Sequence, residues 1–158
     1  MESRNFEKLD KGFELTAKLD KILDENRDKL IVVVGTTCTG KSTFLKNIKN
    51  AYDMDDLVFP QLSEAEKEYV CQLPWKPEIG EKMISLTKEK IKIKAGKPVF
   101  GTIVLASDLI IYLHIGDELL RERSDLRQVN FEDAKNMQTQ IEEEIKKSNI
   151  PVIEFFIY

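Results

Sequence analysis

Apolar positions along the chain fall into two kinds of pattern. Leu15, Leu19, Ile22 and Leu23 recur at i, i+4, i+7 and i+8, one stripe of an amphipathic helix. Phe6, Leu9 and Phe13 form a shorter stripe ahead of it, with Gly12 as a candidate break. Leu30 to Val34 is instead an unbroken, mostly β-branched run, the pattern of a strand covered on both faces. Gly35 to Gly40 reads as a Gly- and Thr-rich turn, and Lys41 to about Asn50 as a helix turning Phe44, Leu45 and Ile48 inward. Ala51 to Phe59 reads as a short strand or loop that stops at Pro60.

The pattern is weakest over residues 61–80. Ser63-Glu64-Ala65-Glu66 predicts a capped helix start, whereas Pro74, Pro77 and Gly80 break up the remainder of that stretch. Met83, Ile84, Leu86, Ile91 and Ile93 predict a helix that ends at Ala95-Gly96, with the glycine in a left-handed cap. Pro98–Phe100 and Leu109–Ile115 read as two more buried strands, and Glu118–Arg123 as a charged helical turn. Asn130 caps a last helix carrying Phe131, Ala134, Met137, Ile141 and Ile145 inward, and Pro151–Tyr158 is the last strand. Strands separated by helices predict an α/β fold, a three-layer α/β/α arrangement around a five-stranded parallel sheet. Without repeats or linkers, residues 1–158 read as one domain, with 1–28 a helical extension packed on it and covering one sheet face.

Composition narrows the classes. The 158 residues are 42% hydrophobic and 33% charged, with seven Gly and five Pro, which excludes disordered and fibrous chains. A formal charge of −4 disfavours nucleic acid as a partner, because phosphate neutralisation calls for the opposite excess. Cys38 and Cys71 form no CxxC pair, so neither a zinc site nor a disulfide framework is expected. The longest apolar runs are strand-sized, too short to span a bilayer, so a cytoplasmic location without a membrane partner is expected.

The chemistry concentrates after the first strand. Gly35-Thr36-Thr37-Cys38-Thr39-Gly40-Lys41-Ser42 matches G-x-x-x-x-G-K-[ST], the Walker A phosphate loop, between a predicted buried strand and a predicted helix. Its glycines allow backbone conformations that a Cβ would forbid, so that N–H groups turn toward phosphate oxygens at a positive helix end. Lys41 then reaches the β- and γ-phosphates, and the Ser42 hydroxyl is placed to ligate Mg²⁺. The expected nucleotide set is Gly35, Thr36, Thr37, Cys38, Thr39, Gly40, Lys41, Ser42 and Thr43.

With this loop, Tyr52-Asp53-Met54-Asp55-Asp56 and the stretch from Ser107 through Arg127, the chain resembles small P-loop kinases of the nucleoside-monophosphate and shikimate kinase type. The second stretch resembles the DxD those kinases carry after the P-loop helix, and the third their fourth strand and lid. The resemblance implies a nucleoside triphosphate, ATP above GTP, with Mg²⁺ and transfer of the γ-phosphoryl to a small-molecule hydroxyl or phosphate. It implies a metal role for Asp53 beside Ser42, an acceptor role for Asp53 or Asp55, and phosphate clamping by Arg121, Arg123 or Arg127. On an extended segment Asp53 and Asp55 point to one side; a solvated acidic loop is the competing reading. Likewise the arginines, interspersed with Glu122 and Asp125, also fit an ordinary ion-paired surface helix.

Trp75 fits a stacking wall or a plug under a loop, His114 a core position, and Lys88–Lys97 a wet helix face. The chain departs from other P-loop classes: it has no N-K-x-D, no suitably placed D-x-x-G, and no apolar strand ending in Asp-Glu. The third strand lacks an acidic residue of its own, leaving Asp108 as the candidate carboxylate. Two alternatives stay open: a nucleotide-binding sensor or partner-binding module without turnover, and a P-loop transferase acting on a diphosphate.

Overall fold

A computed structural model describes residues 2–74 and 76–158, the side chains of residues 2–10 excepted. The expectations for Phe6, Leu9 and Trp75 lie outside that description. The elements run α1 (Glu2–Glu25), β1 (Ile31–Val34), α2 (Lys41–Asn47), β2 (Tyr52–Asp53), α3 (Met54–Val58), α4 (Glu64–Val70), α5 (Pro77–Lys90), β3 (Val99–Gly101), β4 (Leu109–Ile115), α6 (Asp117–Arg127), α7 (Phe131–Ser148) and β5 (Val152–Ile157).

The strands form one five-stranded sheet in the order β2-β3-β1-β4-β5, and every pairing is parallel. Central β1 is buried at all four positions and β4 at six of seven, as unbroken apolar runs require when both sheet faces are covered. Val33, Phe100, Ile111 and Phe155 point to the face covered by Leu15, Leu19 and Leu23 of α1 and Phe44 and Ile48 near α2. Val32, Val99, Ile110 and Tyr112 point to the other, covered by Val58, Val70, Ile79, Leu86 and Ile141. The result is the expected α/β architecture with helices on both faces. None of the described helices is long and apolar enough to cross a membrane.

Several local expectations change. α1 runs through Gly12 without a break, and Phe13 is 67% exposed rather than part of an inward stripe. Only Tyr52 and Asp53 of the segment Ala51–Phe59 are strand; Asp53 then caps α3 by accepting from the Asp55 N–H at 2.9 Å. Pro77 and Gly80 do not interrupt a helix: Pro77 opens α5 at a position where its missing N–H costs nothing. α5 stops at Lys90, and Gly96 (φ +76°) serves a turn bridging Lys94 and Lys97 instead of capping it. The charged turn at Glu118–Arg123 is a full helix, α6. The caps at Ser63 and Asn130 form as the sequence predicts, the first as a reciprocal box with Glu66.

The topology fixes where a ligand can approach. β1 leads through α2 on one face to β2, on the β3 side of the sheet, whereas the segment after β3 carries Leu105 over the other face and leads to β4, on the opposite side of β1. The carboxyl end of β1 therefore lies where the connections part, the position at which open α/β sheets hold ligands.

Candidate functional site

The loop between β1 and α2 occupies that position. Gly35 leaves β1 with its N–H donating to the Gly101 carbonyl at 3.2 Å, so the ends of β1 and β3 lie side by side. A Cβ at Gly35 would stand 2.9 Å from the Leu113 Cβ and 3.0 Å from the Thr39 hydroxyl, which leaves no room for any other residue. Gly40, at φ +94°, turns the chain into α2, a left-handed conformation natural to glycine. Cys38 takes φ +70° as well and is buried. Alternation of this kind makes successive N–H groups concave, the geometry of an anion nest.

Hydrogen bonds hold the loop from several sides. The Thr36 hydroxyl donates to the Ala134 carbonyl at 2.5 Å, tying the loop to α7. Thr39 Oγ1 donates to the Thr36 carbonyl at 2.9 Å, and Arg123 Nη1 from α6 donates to the Cys38 carbonyl at 3.0 Å. The Gly40 carbonyl accepts the Thr43 and Phe44 N–H groups at 3.1 and 3.2 Å, opening α2. By contrast, the N–H groups of residues 37–42 donate to no acceptor among the described residues. Backbone donors left free in succession are rare, and here they gather at a helix start.

Lys41 extends along the inside of the loop. Its ammonium donates to the carbonyls of Gly35 at 2.6 Å and Thr36 at 2.7 Å, and to Thr39 Oγ1 at 3.3 Å. Burial pushes its pKa down to about 8; the Asp53 carboxylate works against that shift and the Arg127 charge adds to it. Burial also lowers the Arg123 guanidinium, with Arg127 contributing. Arg123 therefore touches the loop and the Arg127 charge acts on Lys41 from the same helix, with the spacing expected for the two present in α6. Arg121 does not join them: its guanidinium carbon lies 4.0 Å from the ring centroid of Phe131, a cation–π contact on α7.

Asp53 and Asp55 reach the site by a route other than the expected one. They sit at the cap and first turn of α3, not on an extended segment, and line a pocket of about 120 Å³ with Lys41, Leu45, Met54, Phe100 and Thr102. Partial burial, then the Asp53 and Asp56 charges, raise the Asp55 carboxyl above its ordinary value. Asp56 is exposed and outside the pocket lining. Asp108 is removed from the chemistry altogether: its carboxylate accepts the Leu30 N–H at 2.9 Å at the amino end of β1, opposite the loop. A larger cavity, about 610 Å³, opens at that same far end, and none of the expected site residues lines it.

Ser42 and Thr43 are exposed in the first turn of α2. Among the described residues no group of three His, Cys, Asp or Glu side chains converges. His114 is half-buried between the rings of Tyr112 and Phe156, a core position as expected. Sequence reasoning missed the contributions of Thr102, Ala134 and Gly101. The last carried a signal: it is a small residue ending a strand, where the Met54 side chain packs directly against the backbone.

Compared with protein-family models the chain matches none, and no curated protein matches it significantly.

Proposed function

We propose that the chain is a small P-loop kinase of the nucleoside-monophosphate and shikimate kinase type, binding ATP and moving its γ-phosphoryl group to a small-molecule acceptor. The observation that supports this most is the run of six N–H groups, residues 37–42, without an acceptor among the described residues, beside a half-buried lysine ammonium. A triphosphate satisfies both at once: it accepts from the backbone and replaces the carbonyls that Lys41 now holds.

The positions support one division of roles. Residues 35–43 bind the phosphates, and Arg123 and Arg127 stabilise the charge spread over the transferring group. Ser42 and Asp53 would hold Mg²⁺, which supplies charge neutralisation across the β- and γ-phosphates. Asp55, in the adjoining pocket, orients the acceptor and takes its proton. In the transfer, the acceptor oxygen forms a bond to the γ-phosphorus while the bond to the β–γ bridging oxygen breaks. ADP departs with that electron pair.

Calorimetry of ATP and GTP against the chain and its Lys41→Ala variant tests the reading. Loss of the lysine is expected to weaken ATP binding by roughly ten- to hundredfold, the scale of 1.5–3 kcal/mol for hydrogen bonds to a charged group. Equal binding by both proteins would overturn it.

A further inference from the structure

Resting on that kinase reading, we infer that the acceptor is a small cationic alcohol, an amino alcohol, seated in the pocket between Lys41 and the first turn of α3. Three features of the pocket point there. The first is its size: about 120 Å³ is well under the roughly 300 Å³ at which sites for drug-sized ligands begin. That volume matches the reacting end of a small molecule and is small for a whole nucleoside monophosphate. The second is its wall, where Leu45, Met54, Phe100 and Ile103 offer apolar contact for a short carbon skeleton.

The third is the division of charge. Lys41 and Arg123 touch the phosphate loop, and the Arg127 charge acts on Lys41 from α6. The pocket beside it is lined by Asp53 and Asp55, and Lys41 is the one cation among its described lining residues. Neither carboxylate forms an ion pair among the described residues. An anionic acceptor would meet like charge with no guanidinium to hold it. An ammonium group on the acceptor pairs with Asp55, and the Thr102 hydroxyl supplies a further polar contact. The acceptor's hydroxyl is then free to face the γ-phosphorus; its oxygen gains the phosphoryl group as the bond to the β–γ bridging oxygen breaks, and its proton passes to the other oxygen of Asp55.

Three-carbon probes of equal length separate the charges: 2-amino-1,3-propanediol, glycerol and glycerate. Their binding to the full chain, saturated with a non-hydrolysable ATP analogue and Mg²⁺, is read by ligand-observed NMR. The amino alcohol is expected to bind about fivefold or more tighter than glycerol, the scale of one partly exposed ion pair, with glycerate weakest. Asp55→Asn levels the amino alcohol with glycerol, while Asp56→Asn, outside the pocket, leaves the order intact. Equal binding of the three, preference for glycerate or adenosine monophosphate, or no saturable binding of the amino alcohol overturns the inference. Calorimetry of ATP alone separates the two levels. ATP binding with the wrong acceptor order sinks only the acceptor class, and absence of ATP binding sinks the kinase reading and the acceptor with it.

Discussion

Two residues of the β1–α2 loop yield tests with opposite physical bases. At Gly35 the constraint is space. Gly35→Ala drives a methyl against Leu113 and Thr39, and overpacking of this kind costs about 1–3 kcal/mol. A lower midpoint in urea together with lost ATP binding is expected, and a variant as stable as the parent would show that the loop yields easily. At Lys41 the constraint is charge. Its ammonium titrates near pH 8 in the free chain and is held protonated once a triphosphate lies against it, so binding takes up a proton above that pH. Affinity should be flat below pH 8 and fall by up to about tenfold per unit above it. Folding has the other sign: the unfolded lysine, at 10.5, holds its proton more tightly than the folded one, so Lys41's own contribution to stability rises between pH 8 and 10.5. Binding lost while the thermal midpoint holds is the pattern to look for in parallel calorimetry and melting curves. The tight turn between β1 and α2 was legible because the glycine spacing announces it directly. Arg121 was not, since an arginine on an amphipathic helix reads the same whether it faces a phosphate or, as here, Phe131.

Among the elements, legibility depends on how strongly local pattern and tertiary demand agree. β1, β4 and α7 were visible because their apolar runs or stripes are long and their flanking signals clean, as at Asn130. α3 was hidden. Its five residues are fewer than two helical turns, and the source of their helicity is the Asp53 cap and the burial of Met54 against Gly101, a partner about 50 residues away in sequence. The same shift relocated the acidic pair: alternation on a strand gave way to a cap and a helical turn, yet both arrangements deliver Asp53 and Asp55 to one pocket. α1 supplies the element-scale test. Leu19 is fully buried in the α1 face of the core and Phe13 on the same helix is mostly exposed. Leu19→Ala should therefore cost about 2–5 kcal/mol in urea denaturation and Phe13→Ala far less. Similar losses for both would mean that α1 is held by something other than its leucine stripe.

For the whole molecule, the sheet order was beyond what the sequence stated, because parallel pairing carries no hairpin turn to announce which strands meet. Ile31 lies beside Leu109, and the Lys18 ammonium donates to the Tyr158 hydroxyl across 140 residues of chain at 3.2 Å. Contacts so distant along the chain set the tempo of assembly. Loop closure must precede their reward, so refolding is expected on the slower, millisecond-to-second scale rather than in microseconds. A helix whose contacts with the chain's far end form late has its effect on the return journey. Substitutions in α1, such as Leu19→Ala, should speed unfolding while leaving the refolding rate nearly unchanged in stopped-flow chevrons. A variant that slowed refolding instead would place α1 in the nucleus. On the expected result, the grip of α1 on the last strand's end acts as a latch in time: it decides how long the native chain persists, and has little say in how quickly it forms.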